Sequence, residues 1–305
     1  MNSPRKRRPP GFYLPVGEPA PAGATLAELL AEARRRLADH SQTPSLDAQT
    51  LMVKAVGLPR GWVLSHAEAQ LDPDQAASYR ADVERCAQGV PLPYVLGWWE
   101  FYGRQYHLSP DVLIPRPETE HLVEAALRRL AARPELGRVL ELGTGSGCVI
   151  CSLALDLPGR LYLATDRSWP ALQVCRRNLA EYQLVEQVDM VLADQLQGLD
   201  GPFDLIVSNP PYLTSRAATE LPVGQREPRS ALDGGPDGLD PVRAIAANLD
   251  RALAPGGELL LELDPHQMEE ARAVIGAAIV LEGAAIEKDM AGDDRILWVR
   301  RVGNR

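Results

Sequence analysis

The sequence predicts an α/β protein in which a small helical domain and a linking β-hairpin precede a seven-stranded, mostly parallel sheet covered by helices on both faces. The length of 305 residues exceeds that of a usual single domain. After Arg138, short apolar segments alternate with helical ones, which is typical of a parallel sheet. Between this region and the helical periodicity before it lies an aromatic stretch, Tyr94 to Ile114, broken by Gly97 and Gly103.

The order of these patterns predicts four segments. Residues 1–23 are rich in Pro and Gly and carry a basic cluster from Arg5 to Arg8, which predicts a disordered tail or, as an alternative, a tether to RNA or the ribosome. Residues 24–89 predict a helical domain that begins with a capping box of Thr25 and Glu28. Residues 90–116 predict the hairpin linker, and residues 117–305 the α/β domain.

Within residues 24–89, further helices are expected near 46–56 and 73–88, and another helix is expected near 118–130. The expected strands lie near residues 138–142, 160–165, 188–193, 203–208, 257–263, 279–288 and 294–301. The last two strands, with a short connection between them, predict an antiparallel hairpin at the sheet edge.

Composition narrows the class of protein. The net charge of −9 argues against broad, sequence-independent binding of nucleic acid. Four cysteines form no disulfide framework, and Cys148-x-x-Cys151 lacks the second ligand pair of a zinc site, so we expect no metal. No apolar run reaches transmembrane length and the N-terminus lacks a signal-peptide core, so we expect a soluble cytoplasmic protein.

A glycine loop follows the strand near 138–142 and reads Glu141-x-Gly143-x-Gly145-x-Gly147. Its spacing departs from the dinucleotide fingerprint, whose third glycine would fall at Cys148, and the lysine of a P-loop is missing. The carboxylate of Glu141 suits a cationic ligand better than a pyrophosphate, so the loop predicts a site for S-adenosylmethionine.

Acidic residues also end the next two strands. Asp166 can accept both ribose hydroxyls, and Asp194 with its backbone amide can bind the adenine amino group and ring. A plain structural turn with surface acids is the alternative interpretation.

The strand near 203–208 runs into Asn209-Pro210-Pro211-Tyr212. The Asn209 side-chain carbonyl and the Pro210 carbonyl are two rigidly held acceptors that can grip one planar NH2 group, and Tyr212 can stack on its π-system. The turn is therefore suited to binding an amide or an exocyclic base amine.

The chain resembles the HemK-type protein-(glutamine-N5) methyltransferases over residues 25–301. Besides Asn-Pro-Pro-Tyr, the resemblance rests on the stretches Phe101-Tyr102-Gly103, 112–120 (VLIPRPETE), 227–239 (EPRSALDGGPDGL) and 288–292 (KDMAG). It implies a Rossmann-like class I methyltransferase domain and modification of the glutamine in the Gly-Gly-Gln loop of bacterial class 1 peptide chain release factors, which the helical domain and hairpin would hold.

The resemblance also implies residue roles. Asn209, Pro210 and Tyr212 would be catalytic. The cofactor would be bound by Glu141, Gly143, Thr144, Gly145, Gly147, Asp166, Trp169, Asp194 and Asn209. The glutamine loop would contact Asn209, Pro210, Pro211, Tyr212, Arg116, Glu118, Thr119, Glu227 and Arg229. For Glu118 a plain helix start, and for Glu227 and Arg229 a buried ion pair, are the alternatives. The chain departs from the family at Asp264, where glycine is usual, and at Trp169, where a smaller residue is common.

Three other functions compete with this hypothesis. Methylation of a glutamine in ribosomal protein L3 would use nearly the same motifs. A nucleic-acid amine methyltransferase would want a basic binding surface, which the acidic composition disfavours. A binding module without catalysis would have no use for two aimed acceptors. We expect a monomer with a protein substrate, without membrane or strong nucleic-acid binding.

Overall fold

A computed structural model describes residues 23–303, so the predicted basic tail lies outside the described residues apart from Gly23. Contacts within the chain divide it into two units, with the boundary between Gln88 and Gly89. None of the helices in the described range is long and apolar enough to cross a membrane.

The first unit is helical. Its helices are α1 (Leu26–Leu37), α2 (Pro44–Val56), α3 (Arg60–Ser65) and α4 (Pro73–Ala87). The predicted capping box is confirmed, since Thr25 Oγ1 accepts from Glu28 N at 3.3 Å and Glu28 Oε2 accepts from Thr25 N at 2.9 Å. The six-residue helix α3 was not predicted, because it is too short to show a helical period.

The second unit begins with α5 (Leu92–Leu96) and the predicted hairpin of β1 (Trp98–Phe101) and β2 (Arg104–His107). Phe101 and Tyr106 are fully buried in the core, where the Tyr106 hydroxyl is 2.9 Å from Ser152 Oγ. A 3-10 turn (Pro117–Thr119) leads into α6 (Glu120–Ala132), so the α-helix begins two residues later than predicted. Pro117 stands at the start of this turn, where its missing N–H costs nothing.

The predicted seven-stranded sheet is confirmed, with the order β5-β4-β3-β6-β7-β9-β8. Its strands are β3 (Arg138–Leu142), β4 (Leu161–Asp166), β5 (Val188–Leu192), β6 (Phe203–Ser208), β7 (Leu253–Glu262), β8 (Leu281–Lys288) and β9 (Asp294–Arg301). The connecting helices are α7 (Cys148–Asp156), α8 (Trp169–Glu181), α9 (Ala217–Glu220), α10 (Asp240–Ala252) and α11 (Met268–Ala278). The strands β3 to β7 pair in parallel, and β8 with β9 forms the predicted antiparallel edge hairpin.

Strand β7 starts four residues earlier than predicted. Its first part was missed because it contains Pro255, Gly256 and Gly257, residue types that are uncommon inside strands. The pairing register of β6 with β7 shifts between Phe203 and Leu205. The sheet is covered on both faces, since the adjacent residues Val139 and Leu140 belong to different apolar clusters. Chain order reverses between β3 and β6, and such a switch point opens a crevice at the carboxyl ends of the strands.

Candidate active site

A cavity of about 520 Å³ lies at that switch point. Its wall contains residues that follow β3, β4, β5 and β6, so it occupies the position where open α/β sheets bind their ligands. The volume falls in the range of roughly 300–1,000 Å³ that small-molecule sites occupy. Of the residues predicted from the sequence, the wall includes Glu141, Gly143, Thr144, Gly145, Asp166, Asp194, Asn209, Pro211, Arg116 and Thr119.

The glycines of the loop after β3 have two different tasks. Gly143 and Gly145 have φ of +68° and +54°, and a Cβ added to either would meet no atom within 4 Å. Both line the cavity, so their missing side chains leave room for a ligand against the backbone. Gly147 lies outside the lining, and a Cβ there would be 2.6 Å from Cys175 Sγ. This third glycine is therefore required for packing of the loop against α8.

Glu141 is buried beneath the loop and holds its shape. Its Oε2 accepts from Thr144 Oγ1 at 2.6 Å and from Ile150 N at 3.1 Å. Burial raises the pKa of this carboxyl to about 8, although the Thr144 hydroxyl and the Ile150 amide lower it and the charge of Asp166 raises it further. A buried carboxyl without a cationic partner is poised to ionise when a cation binds beside it.

Asp166 accepts two backbone amides at the end of β4. Gly145 N donates to its Oδ2 at 2.9 Å and Ser168 N donates to its Oδ1 at 2.8 Å. The Gly145 amide is thereby occupied by a carboxylate, and this amide is one that a phosphate-binding loop would leave free. Asp166 and Asp194 lie in the same wall as Glu141, which can ionise beside a bound cation, so the cavity favours a cationic ligand over an anionic one.

The Asn-Pro-Pro-Tyr turn closes another side of the cavity. Asn209 and Pro211 line it, whereas Pro210 is buried and Tyr212 lies outside the lining. Asn209 Nδ2 donates to Thr119 Oγ1 at 3.0 Å. The Tyr212 carbonyl accepts from Gln267 Nε2 at 3.0 Å, so a glutamine from a distant segment fixes the backbone of the turn.

Three of the remaining predicted substrate residues, Arg116, Glu227 and Arg229, form ion pairs. Arg116 pairs with Glu227, whose other oxygen accepts from Ile114 N at 3.0 Å. The Glu227 side chain is buried, so its geometry matches the alternative of a buried ion pair, with Arg116 rather than Arg229 as the partner. Arg229 is exposed and pairs with Asp233 at 2.9 Å. Glu118 is exposed and lies outside the cavity lining.

Two predicted cofactor residues are not brought to the cavity wall. Trp169, the first residue of α8, is 60% exposed and absent from the lining, as is Gly147. Their cofactor contacts stay predictions.

Several polar residues of the site were not singled out from the sequence. Asp111, Gln195, Asp233 and Asp240 contribute to the cavity wall, and Glu262, which is outside the lining, ends β7. Glu262 carries a signal that the sequence analysis used for the other strands, since it is an acid at a strand end. Gln195 and Asp233 carry no comparable local pattern.

The sheet order and the cavity at its switch point are those expected of a Rossmann-like methyltransferase. Comparison with known proteins agrees. Residues 120–231 match the family model described as methyltransferase small domain, and residues 28–97 match the PrmC N-terminal domain. Among solved structures, the hMettl16 catalytic domain in complex with the MAT2A 3'UTR hairpin 6 is similar in fold, with a TM-score of 0.53 and 15% identity over 77% of this chain and 83% of that one.

The curated relatives narrow the class. The release factor glutamine methyltransferase of Moorella thermoacetica is 39% identical over 280 residues, which cover 91% of this chain and 99% of the relative. The protein of the same name from Bordetella pertussis is 40% identical over 257 residues, 83% of this chain and 93% of that one. The chain belongs to the family of release factor glutamine methyltransferases.

Proposed function

We propose that this chain transfers the methyl group of S-adenosylmethionine to the side-chain amide nitrogen of the glutamine in the Gly-Gly-Gln motif of class 1 peptide chain release factors. The observation that carries the proposal is one cavity with two chemically different walls. One wall has carboxylates and open glycines that fit a cationic nucleoside, and the other has Asn209 and the proline turn that fit a primary amide. Relatives that match about nine tenths of the chain are named release factor glutamine methyltransferase, which supports methylation of a release factor glutamine.

The cofactor site is assigned to residues that follow three strands. Gly143 and Gly145 admit the ligand to the backbone, Asp166 has acceptor capacity left for the ribose hydroxyls, and Asp194 lies within the wall for the adenine. Thr144 and Glu141 form the floor of the loop. When bound, S-adenosylmethionine supplies an electrophilic methyl group on a cationic sulfonium.

The acceptor site is assigned to Asn209 and Pro210, with Tyr212 and Pro211 supporting the turn. An amide nitrogen is a poor nucleophile because its lone pair is delocalised into the carbonyl. Asn209 Oδ1 and the Pro210 carbonyl accept the two N–H bonds of the glutamine amide, so the remaining face of the nitrogen points toward the methyl donor. As that nitrogen gains positive charge its N–H groups become stronger donors, and both acceptors bind the transition state more tightly than the ground state.

Substrate placement is assigned to the segment before α6. Arg116 and Thr119 lie in the cavity wall, and the ion pair of Arg116 with Glu227 ties this segment to the residues that follow α9. Fixing both sides of the opening restricts how the glutamine can enter, which favours reaction by positioning.

The test uses the full chain with methyl-labelled S-adenosylmethionine and a purified class 1 release factor, followed by peptide mass spectrometry. We expect one added methyl group on the glutamine of the Gly-Gly-Gln peptide. The matched control is the same release factor with that glutamine replaced by glutamate, which should remain unmodified. Ribosomal protein L3 and a DNA duplex are incubated in parallel. Modification of either of these, with none on the release factor, would refute the proposal.

A further inference from the structure

Three residues from distant parts of the chain lie together at the cavity wall, two of them in its lining and the third outside it. Thr119 ends the 3-10 turn before α6, Asn209 follows β6, and Glu262 ends β7, the strand that pairs in parallel with β6. Thr119 is 4% exposed and Glu262 is 1% exposed. One oxygen of Glu262, Oε2, is buried without a hydrogen-bond partner. A buried acid at this position calls for an explanation, because it is costly to keep there.

The orientation of the Asn209 amide matters for the reaction and is not fixed by shape. Turning an asparagine amide by 180° exchanges an acceptor for a donor with almost no change in volume. Only the orientation with Oδ1 toward the cavity can accept an N–H of the substrate amide. The reverse orientation would oppose an NH2 group with another NH2 group, so a neighbouring residue has to select the productive one.

Thr119 makes this selection because its hydroxyl has a single hydrogen. Glu262 follows Leu261, which pairs with Ser208, and it lies near enough to Thr119 for that hydroxyl to lower the pKa of its carboxyl. An ionised carboxylate only accepts hydrogen bonds. We expect the hydrogen of Thr119 to be given to Glu262, which leaves Oγ1 to accept from Asn209 Nδ2, an atom 3.0 Å away. Once Nδ2 faces Thr119, the Oδ1 atom of Asn209 faces away from it.

We infer that Glu262 and Thr119 are positioning residues that hold the Asn209 side-chain oxygen toward the methyl-accepting amide. The role of Asn209 in this inference rests on the proposed function. Glu262 acts through Thr119 and contacts neither substrate nor cofactor in this scheme. This positioning role explains why a buried acid stands at the end of β7.

Protonation of Glu262 would reverse the chain of hydrogen bonds. Burial raises the pKa of Glu262 to about 7, against the lowering effects of the Thr119 hydroxyl, Arg295 and Arg116 and with a further rise from Glu118. Tyr212, whose own pKa is raised by burial and by Glu262, also faces this group. A protonated Glu262 can donate to Thr119 Oγ1, whose hydrogen then turns to Asn209 and favours its oxygen as the partner. Methyl transfer should therefore require ionised Glu262 and decline below neutral pH.

The first test observes Asn209 directly and needs neither substrate nor cofactor. The sequence has five asparagines, so labelling with ¹⁵N-asparagine gives few side-chain amide signals, and Asn209→Ala identifies the relevant one by its loss. We expect the Asn209 amide signal to shift with pH in the native protein and to lose that transition in Glu262→Gln. The matched control is Glu258→Gln, an equally buried acid on the same strand that pairs with Arg129, Arg133 and Arg300, and it should keep the transition. The inference would be overturned if the Asn209 amide signal of Glu262→Gln kept the pH transition of the native protein.

The second test is kinetic. In Glu262→Gln and Thr119→Val we expect kcat to fall roughly 10- to 100-fold, somewhat less than for loss of a transition-state hydrogen-bonding group, with cofactor affinity little changed. Thr119→Ser restores the hydroxyl and should recover most of the loss. The acid limb of the kcat profile should disappear in Glu262→Gln. An unchanged kcat with an unchanged acid limb contradicts the inference. If the native protein fails to modify release factor, the proposed function fails, while the amide signal of Asn209 still decides this inference.

Discussion

The two walls of the cavity are built in different ways. On the wall assigned to the cofactor, the cofactor wall (Glu141, Gly143, Thr144, Gly145, Asp166 and Asp194), carboxylates accept from backbone amides close by in the chain. Glu141 accepts from Ile150 at a separation of nine residues, and Asp166 accepts from Gly145 at a separation of 21. On the wall assigned to the glutamine amide, the acceptor wall (Arg116, Thr119, Asn209 and Pro211), contacts join segments far apart in the chain. Thr119 and Asn209 are separated by 90 positions, and Arg116 and Glu227 by 111.

This difference separates two kinds of function. The cofactor wall follows three neighbouring strands, β3, β4 and β5, so under the proposed function changes there should alter cofactor affinity. The acceptor wall depends on several segments meeting in one place, so changes there should alter the rate of methyl transfer at saturating cofactor. Variants in each wall test that division.

Asn209→Ala should have the largest effect. Loss of one of the two acceptors for the substrate amide should lower kcat by roughly 100- to 1,000-fold, the scale seen when one transition-state hydrogen-bonding group is removed. Affinity for S-adenosylmethionine, measured by calorimetry, should change little. Asn248→Ala, on α10 and outside the cavity lining, is the matched control. Turnover near that of the native protein would disprove the role of Asn209.

Gly147→Ala should damage the fold more than the chemistry. The new Cβ would be 2.6 Å from Cys175 Sγ at a φ of +78°, so unfolding in urea should show a loss of roughly 2–4 kcal/mol from overpacking and backbone strain. Gly143→Ala is the matched control, because its Cβ meets nothing within 4 Å. There the backbone strain should cost only about 1–2 kcal/mol, and cofactor affinity should fall. Equal losses of stability in the two variants would contradict the separate tasks of these glycines.

Asp166→Ala should weaken cofactor binding without slowing methyl transfer at saturating cofactor. Hydrogen bonds to a charged group contribute about 1.5–3 kcal/mol, which corresponds to roughly a 10- to 150-fold rise in Kd. Calorimetry measures this directly. The exposed Asp189 on β5 provides the control variant Asp189→Ala, which should bind normally. Unchanged affinity in Asp166→Ala would remove this residue from the ribose site.

The same division explains how far the sequence could be read. The strands, the edge hairpin and the glycine loop follow from local periodicity and spacing, and these predictions are confirmed. The two acceptors of the Asn-Pro-Pro-Tyr turn could also be predicted from the sequence alone, and their role stays a prediction. The partners of that turn did not, since nothing local to Thr119, Gln267 or Glu262 indicates that they meet Asn209 or Tyr212. Side-chain contacts across long separations depend on tertiary packing, which local patterns do not specify.

The smallest effect we predict is the pH dependence of cofactor binding through Glu141. Because burial raises the pKa of this carboxyl to about 8, Glu141 is mostly protonated at neutral pH in the free protein. The stability it contributes is complete below its ordinary pKa of 4.5 and is lost as the pH rises toward 8. A cation bound beside it favours the ionised form, so binding near pH 7 should release a proton. Affinity for the cofactor should therefore increase with pH, by at most about tenfold per pH unit, until about pH 8.

Calorimetry of cofactor binding in two buffers with different ionisation enthalpies measures that proton release. Glu141→Gln has no proton to release at this position and should flatten the rise of affinity with pH. The variant Asp194→Asn is the control, because Asp194 is exposed at the cavity wall and Glu141 still titrates beneath the loop. If the native protein releases no proton and binds equally well from pH 6 to 9, Glu141 serves only to hold Thr144 and the start of α7. The carboxyl group that first suggested a cationic ligand would then belong to the architecture of the loop, and Asp166 and Asp194 would carry the electrostatic preference without it.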